Sequence, residues 1–130
     1  MPQLQTVTPI LFVRDVPASA AFFRDKLGFE IDFLYGEPPF YGSVSRDGVR
    51  LHLRFVHQPV FAEAAAREES LILATIQVSD VRSLYEEMRG RDVDMPQALE
   101  TQAWGGTDFY VRDPDGNVVS FVSFETAPEA

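Results

Sequence analysis

The chain contains no cysteine, which excludes both a disulfide framework and a thiolate metal site. Lysine is nearly absent as well. Lys26 stands alone beside ten arginines, so Schiff-base chemistry has one poorly placed candidate. No apolar run approaches the roughly 20 residues that span a bilayer. The segment Met1-Pro2-Gln3-Leu4-Gln5-Thr6 lacks the charged and apolar regions of a signal peptide. These absences predict a cytoplasmic protein with no membrane partner. Positive charge is scarce: 20 Asp and Glu against 11 Lys and Arg leave a net charge of −9. That balance repels phosphate backbones, so no nucleic-acid partner is expected. The acids either draw cationic ligands inward or only keep the chain soluble, and composition allows both. Familiar catalytic apparatus is also missing. Ser43, Ser45, Ser120 and Ser123 fall on predicted strands without a nucleophile-elbow context. Gly105-Gly106 lacks the spacing and the following helix of a phosphate loop. The paired acids Asp113 and Asp115 read as turn residues that shape a hairpin.

What the chain does contain is a repeated pattern. At 130 residues, with 45% hydrophobic and 24% charged content, it is long enough for one domain with a real core. Ser45-Arg46-Asp47-Gly48 runs into the alternating stretch Val49 to Leu53, and half a chain later Asp113-Pro114-Asp115-Gly116 runs into Asn117 to Phe121. Asp-Gly between alternating runs signals a hairpin, because the turn needs residues that tolerate positive φ. Val13-Arg14-Asp15-Val16 likewise returns as Val78-Ser79-Asp80-Val81. Two copies of one unit are implied.

The pattern within each copy predicts strands and one helix. Gln5 to Val13 reads as a first strand, expected at an edge or irregularly paired because Pro9 lacks an amide donor. Asp15 is a helix N-cap with Pro17 in the first turn. Val16, Ala20, Phe23 and Leu27 form one helical face, and Gly28 ends it. Phe29 to Tyr35, Phe40 to Arg46 and Val49 to Phe55 complete a βαβββ module, with Gly36-Glu37-Pro38-Pro39 as a turn. A linker, 56–70, holds an Ala-rich centre from Phe61 to Glu69 with the composition of a short helix. Leu71 to Val78, a helix capped by Asp80 and ending at Gly90, Val93 to Gln102, Thr107 to Arg112 and Asn117 to Phe124 repeat the module. Val81, Leu84 and Met88 form the second apolar stripe. The expected organisation is one α+β domain over 1–130, with modules at about 5–55 and 71–124 and a frayed tail at 126–130. One face of each sheet meets its helix. The opposite faces are expected to curl into an incomplete barrel around a cleft suited to a small molecule.

Strand alternation selects candidates for that cleft. On Val49 to Phe55 the odd positions are apolar and face the helix, so Arg50, His52 and Arg54 point the other way. Two exposed arginines favour a carboxylate or phosphate, unless neighbouring acids neutralise them. His52 reads first as a hydrogen-bonded structural residue and second as a ligand contact. Trp104, in Gln102-Ala103-Trp104-Gly105-Gly106, is the one tryptophan and sits in a glycine-rich segment. Phe33, Phe40 and Tyr41 lie near the Pro38-Pro39 loop.

Thr8-Pro9-Ile10-Leu11, Arg14-Asp15-Val16-Pro17 and Leu27-Gly28-Phe29-Glu30, with Phe109-Tyr110-Val111-Arg112-Asp113-Pro114-Asp115-Gly116-Asn117, resemble signatures of the vicinal oxygen chelate superfamily. Asp32-Phe33, Arg50-Leu51-His52-Leu53, Trp104-Gly105 and Val111-Arg112-Asp113-Pro114 are most similar to bleomycin resistance proteins. The likeness spans nearly the whole chain and leaves out the linker and the Pro38-Pro39 loop. It implies a homodimer with clefts at the subunit interface, an arrangement that allows an exchanged first strand. Trp104 would stack a flat heteroaromatic group of a drug, with Phe33, Phe40 and Tyr41 as the facing wall. The metal enzymes of the superfamily take four ligands from the first and last strands of the two modules. The matching positions are Thr8, His52, Leu73 and Ser120. A divalent ion wants about four His, Glu or Gln donors, so this set predicts no metal, no cofactor and no catalytic residue. Two readings follow. One is a metal-free protein that sequesters an antibiotic or related ligand. The other is a glyoxalase- or dioxygenase-like enzyme using His52 with an atypical metal set or none.

Overall fold

The fold is taken from a computed structural model that describes residues 1–124. The expected frayed tail, 126–130, lies outside the described residues. The chain divides into two units, Met1–Pro59 and Val60–Ala130, each with one four-stranded mixed sheet.

The first unit runs β1 (Ile10–Val13), α1 (Val16–Leu27), β2 (Glu30–Tyr35), β3 (Tyr41–Arg46) and β4 (Val49–Phe55). Its sheet order is β1-β4-β3-β2, with β1 parallel to β4 and the other pairs antiparallel. This is the expected βαβββ connection. Regular pairing starts at Ile10, later than the expected Gln5. Pro9 has no amide to give a ladder, but its carbonyl accepts from the His52 N–H at 2.9 Å. At the start of α1, Asp15 accepts from the Ala18 amide at 3.0 Å, and Pro17 sits where an amide is not needed. Val16, Ala20, Phe23 and Leu27 are all buried, on the side that packs against β2, β3 and β4. Gly28 ends the helix with φ 75°, and the following Phe29 amide returns to the Phe23 carbonyl at 3.0 Å.

The second unit runs α2 (Val60–Arg67), β5 (Ala74–Gln77), α3 (Val81–Arg89), β6 (Gln97–Thr101), β7 (Gly106–Arg112) and β8 (Val118–Phe124). Its order, β5-β8-β7-β6, repeats that of the first sheet. The Ala-rich segment does form a helix, α2. Asp80 caps α3 through the Ser83 amide at 3.1 Å. The helix ends at Gly90 as expected, there with φ −70°, and the chain turns at Asp92, φ 58°. The weak strand expected over 93–102 shortens to Gln97–Thr101, after Pro96, and its register against β7 slips between Gln97 and Glu100.

The two hairpins share a motif but not a geometry. Arg46 pairs with Val49 around a two-residue turn, in which Asp47 takes φ 52°. In the second, Arg112 pairs with Val118, and the longer loop between them is organised by Asp113. Its carboxylate accepts from the Asp115 and Asn117 amides at 3.0 and 2.7 Å and from the Asn117 side chain at 3.0 Å. Gly116 has φ 101°, and a Cβ there would stand 3.1 Å from that of Ala62 on α2. Glycine is thus needed at that position both for conformation and for the approach of the helix.

Burial raises the Asp113 carboxyl to about 6 despite those hydrogen bonds. A carboxyl raised in the folded state holds its proton more tightly than in the unfolded chain. Its contribution is therefore greatest below about pH 4 and is lost as pH rises through about 6. The loss is at most about 3 kcal/mol. Asp113→Asn should flatten this dependence between about pH 4 and 7, as measured by urea unfolding. An unchanged slope in the variant would assign it to other groups.

Candidate functional site

The first sheet has one face against α1 and one open face. Leu51 and Leu53 are buried, so Arg50, His52 and Arg54 take the open face, as the alternation predicts. Register places Ser43 beside His52 and Tyr41 beside Arg54, and Phe33 beside Ser43. Tyr41 and His52 meet edge to face at 5.2 Å, and the Tyr41 hydroxyl lies 2.8 Å from His52 Nδ1. Phe33 also meets the imidazole edge to face, at 6.1 Å. His52 is therefore hydrogen-bonded and still turned to the open face. Its backbone amide is the one that holds Pro9.

The question of the two arginines divides. A register shift between Ile31 and Phe33 leaves Asp32 free to turn to the open face. Its carboxylate accepts from the Ser43 and Ser45 hydroxyls at 2.8 and 2.7 Å and from Arg50 Nε at 3.3 Å. The Ser45 hydroxyl is the first cause, with Ser43 and Arg50 behind it, that holds Asp32 below the usual carboxylate range. Arg50 is thereby neutralised. Arg54 instead donates to the Phe55 carbonyl at 3.2 Å and pairs with no carboxylate among the described residues. Phe40 stands apart from this group. It packs on Tyr35 at 5.4 Å and lines a cavity of about 590 Å³ with Arg14, Val16, Pro17, Pro38 and Phe55.

Trp104 belongs to the second unit. Its indole is 60% exposed and tilts against Phe124 at 5.7 Å. The same indole lies over Gly106, where a Cβ would overlap the ring. Absence of a side chain therefore permits the placement of this tryptophan. Nearby, Asp108 is only 4% exposed and accepts from Gln97 and Gln102 side-chain amides at 2.7 and 2.9 Å. Burial, then the charges of Asp108 and Glu100, push the Tyr110 hydroxyl above its ordinary range. Sequence reasoning missed this cluster. The alternation of β7 places Asp108 opposite Phe109, but the slipped register of β6 hides both glutamines.

The comparisons agree with this architecture. The model of the Glyoxalase/Bleomycin resistance protein/Dioxygenase superfamily matches residues 3–121. The chain belongs to that superfamily. It is 31% identical over 129 residues to a bleomycin resistance protein of Geobacillus stearothermophilus, covering 91% of this chain and 95% of the relative. Proteins of the same name from Staphylococcus aureus match equally. Among solved structures, a bleomycin-binding protein from bleomycin-producing Streptomyces verticillus, complexed with copper(II)-bleomycin, superposes with a TM-score of 0.76. It is 30% identical and covers 96% of this chain and 100% of its own. A bleomycin-binding protein complexed with bleomycin follows at TM-score 0.75 and 25% identity, covering 94% and 100%.

Within this superfamily the four-ligand metal position does not fit here. In the first unit the matching pair is Thr8 and His52, and the imidazole nitrogen Nδ1 already has the Tyr41 hydroxyl. In the second it is Leu73 and Ser120, whose hydroxyl donates to Thr75 Oγ1 at 3.0 Å. Leucine offers no donor, and hydroxyls are weak ligands for such ions. Among the described residues no three His, Cys, Asp or Glu side chains cluster to hold an ion. No described helix is long and apolar enough to cross a membrane.

Proposed function

We propose that this protein binds a bleomycin-type antibiotic, or a related ligand with a flat heteroaromatic group, and acts by sequestering it. The observation that carries this reading is the Trp104 indole, held against Phe124 and over Gly106 yet 60% exposed. Offset stacking on such a ring contributes on the order of 1 kcal/mol beyond burial. Full-length likeness to bleomycin resistance proteins and to a structure complexed with copper(II)-bleomycin supports the choice of ligand. Phe33, Tyr41, His52, Arg50 and Arg54 are the contacts proposed on the first sheet, and Phe40 a further one at its edge.

The proposal includes one domain over 1–130, a cytoplasmic location and a homodimer whose clefts combine surfaces of two chains. Residues 1–9 carry no regular secondary structure, Leu4 and Val7 are exposed, and β1 is an edge strand. Those features suit an arm that docks on a second copy.

Thermal shift tests the function. Bleomycin should raise the melting temperature, while nickel, zinc, iron(II) and manganese should not. A metal-induced rise abolished by His52→Ala would overturn the sequestration reading in favour of an enzyme. No shift with bleomycin at concentrations well above micromolar would remove the ligand assignment. A monomer mass in sedimentation at every concentration would remove the dimer.

A further inference from the structure

We propose that Tyr41 is a positioning residue that fixes His52 as its Nε2–H tautomer, so that the open face of the first sheet binds ligands through a hydrogen-bond acceptor such as an amide carbonyl. This rests on the reading of that face as part of the ligand site.

Tyr41 and His52 lie on adjacent strands, and the hydroxyl stands 2.8 Å from Nδ1. Of the two possible proton arrangements, one is chemically better. A phenol is a far stronger acid than a neutral imidazole N–H, and a bare imidazole nitrogen is a stronger base than a phenol oxygen. The hydroxyl therefore donates to Nδ1. A neutral imidazole carries one proton, which this bond sends to Nε2.

Groups on three strands surround the His52 ring. Arg50 and Arg54 flank it on β4, and Tyr41 and Ser43 face it from β3. The nearby carboxylate, Asp32 on β2, is taken up by Ser43, Ser45 and Arg50. Nε2 makes no hydrogen bond with the described residues, and the Phe33 ring that packs on the imidazole is apolar. The face thus presents an N–H donor at His52 and a guanidinium at Arg54. A carbonyl or carboxylate oxygen suits both; an ammonium suits neither. The same proton removes the lone pair that a metal ion would need at Nε2.

Long-range ¹H–¹⁵N correlation on ligand-free, ¹⁵N-labelled protein at about pH 8, above the ordinary histidine range, reads the tautomer directly. His52 should show a protonated Nε2 and a bare, hydrogen-bonded Nδ1. Tyr41→Phe should move the ring towards the mixture of tautomers of a free imidazole. A wild-type ring protonated on Nδ1, or an unchanged pattern in Tyr41→Phe, overturns the proposal. If Tyr41→Phe does not fold, the wild-type spectrum alone decides.

Bleomycin titration tests the second half. His52→Leu should weaken binding by about tenfold, the worth of a buried hydrogen bond, and His52→Gln should recover part of it by supplying an amide N–H. Equal affinity in wild type and His52→Leu overturns the role in binding. Wild-type protein that shows the Nε2–H tautomer but binds no bleomycin removes the sequestration reading alone and leaves the tautomer assignment standing.

Discussion

Phe109→Ala is expected to remove about 3–5 kcal/mol of folding stability, the largest effect of any single truncation considered for this chain. The ring is fully buried. It stacks on Phe121 at 5.3 Å with 24° between planes and receives the edge of Tyr85 at 5.3 Å. Truncation leaves both partners facing a cavity, and β7 cannot shift to fill it because it is paired with β6 and β8. Small domains hold only about 5–15 kcal/mol in total, so this loss approaches unfolding at physiological temperature. Urea unfolding measures it, with Phe109→Leu as the volume-sparing comparison. A cost below about 1 kcal/mol would mean that the core of the second unit is not the one described.

Trp104→Ala should do the opposite: little to stability, much to binding. The indole is 60% exposed, so its truncation should cost within about 1 kcal/mol of folding stability. Its aromatic face is the surface proposed to take the ligand, and aromatic anchors of this kind carry about 2 kcal/mol or more of binding. Bleomycin affinity should therefore fall by about thirtyfold or more. Calorimetry reads the affinity and thermal unfolding the stability. Unchanged affinity would exclude Trp104 from the site. Since Trp104 is the single tryptophan, intrinsic fluorescence also follows that one residue without labelling.

Most of the fold was legible because local chemistry and periodicity agreed. Asp15 and Asp80 announce helices that they do cap, and the alternation of Val49 to Phe55 correctly separates Leu51 and Leu53 from His52. Pro9 correctly marks an edge strand. What sequence could not supply were relations set by neighbouring strands. Asp32 reaches Arg50 only because the β2 register slips beside Phe33. Asp108 finds two glutamine amides only because β6 slips as well. The repeated Asp-Gly motif concealed two different loops, since the buried Asp113 carboxylate, and not the dipeptide, organises the second. Of the candidate site, the open-face placement of the β4 residues was visible from alternation, and Trp104 was proposed as the one tryptophan in a glycine-rich segment. The Tyr41 to His52 bond depends on a pairing register that no local pattern encodes.

The Pro9 carbonyl is fastened to the His52 amide. The last residue before β1 and the imidazole on the open face thus share one backbone anchor. The peptide plane that tethers the end of residues 1–9 is the one from which the imidazole projects.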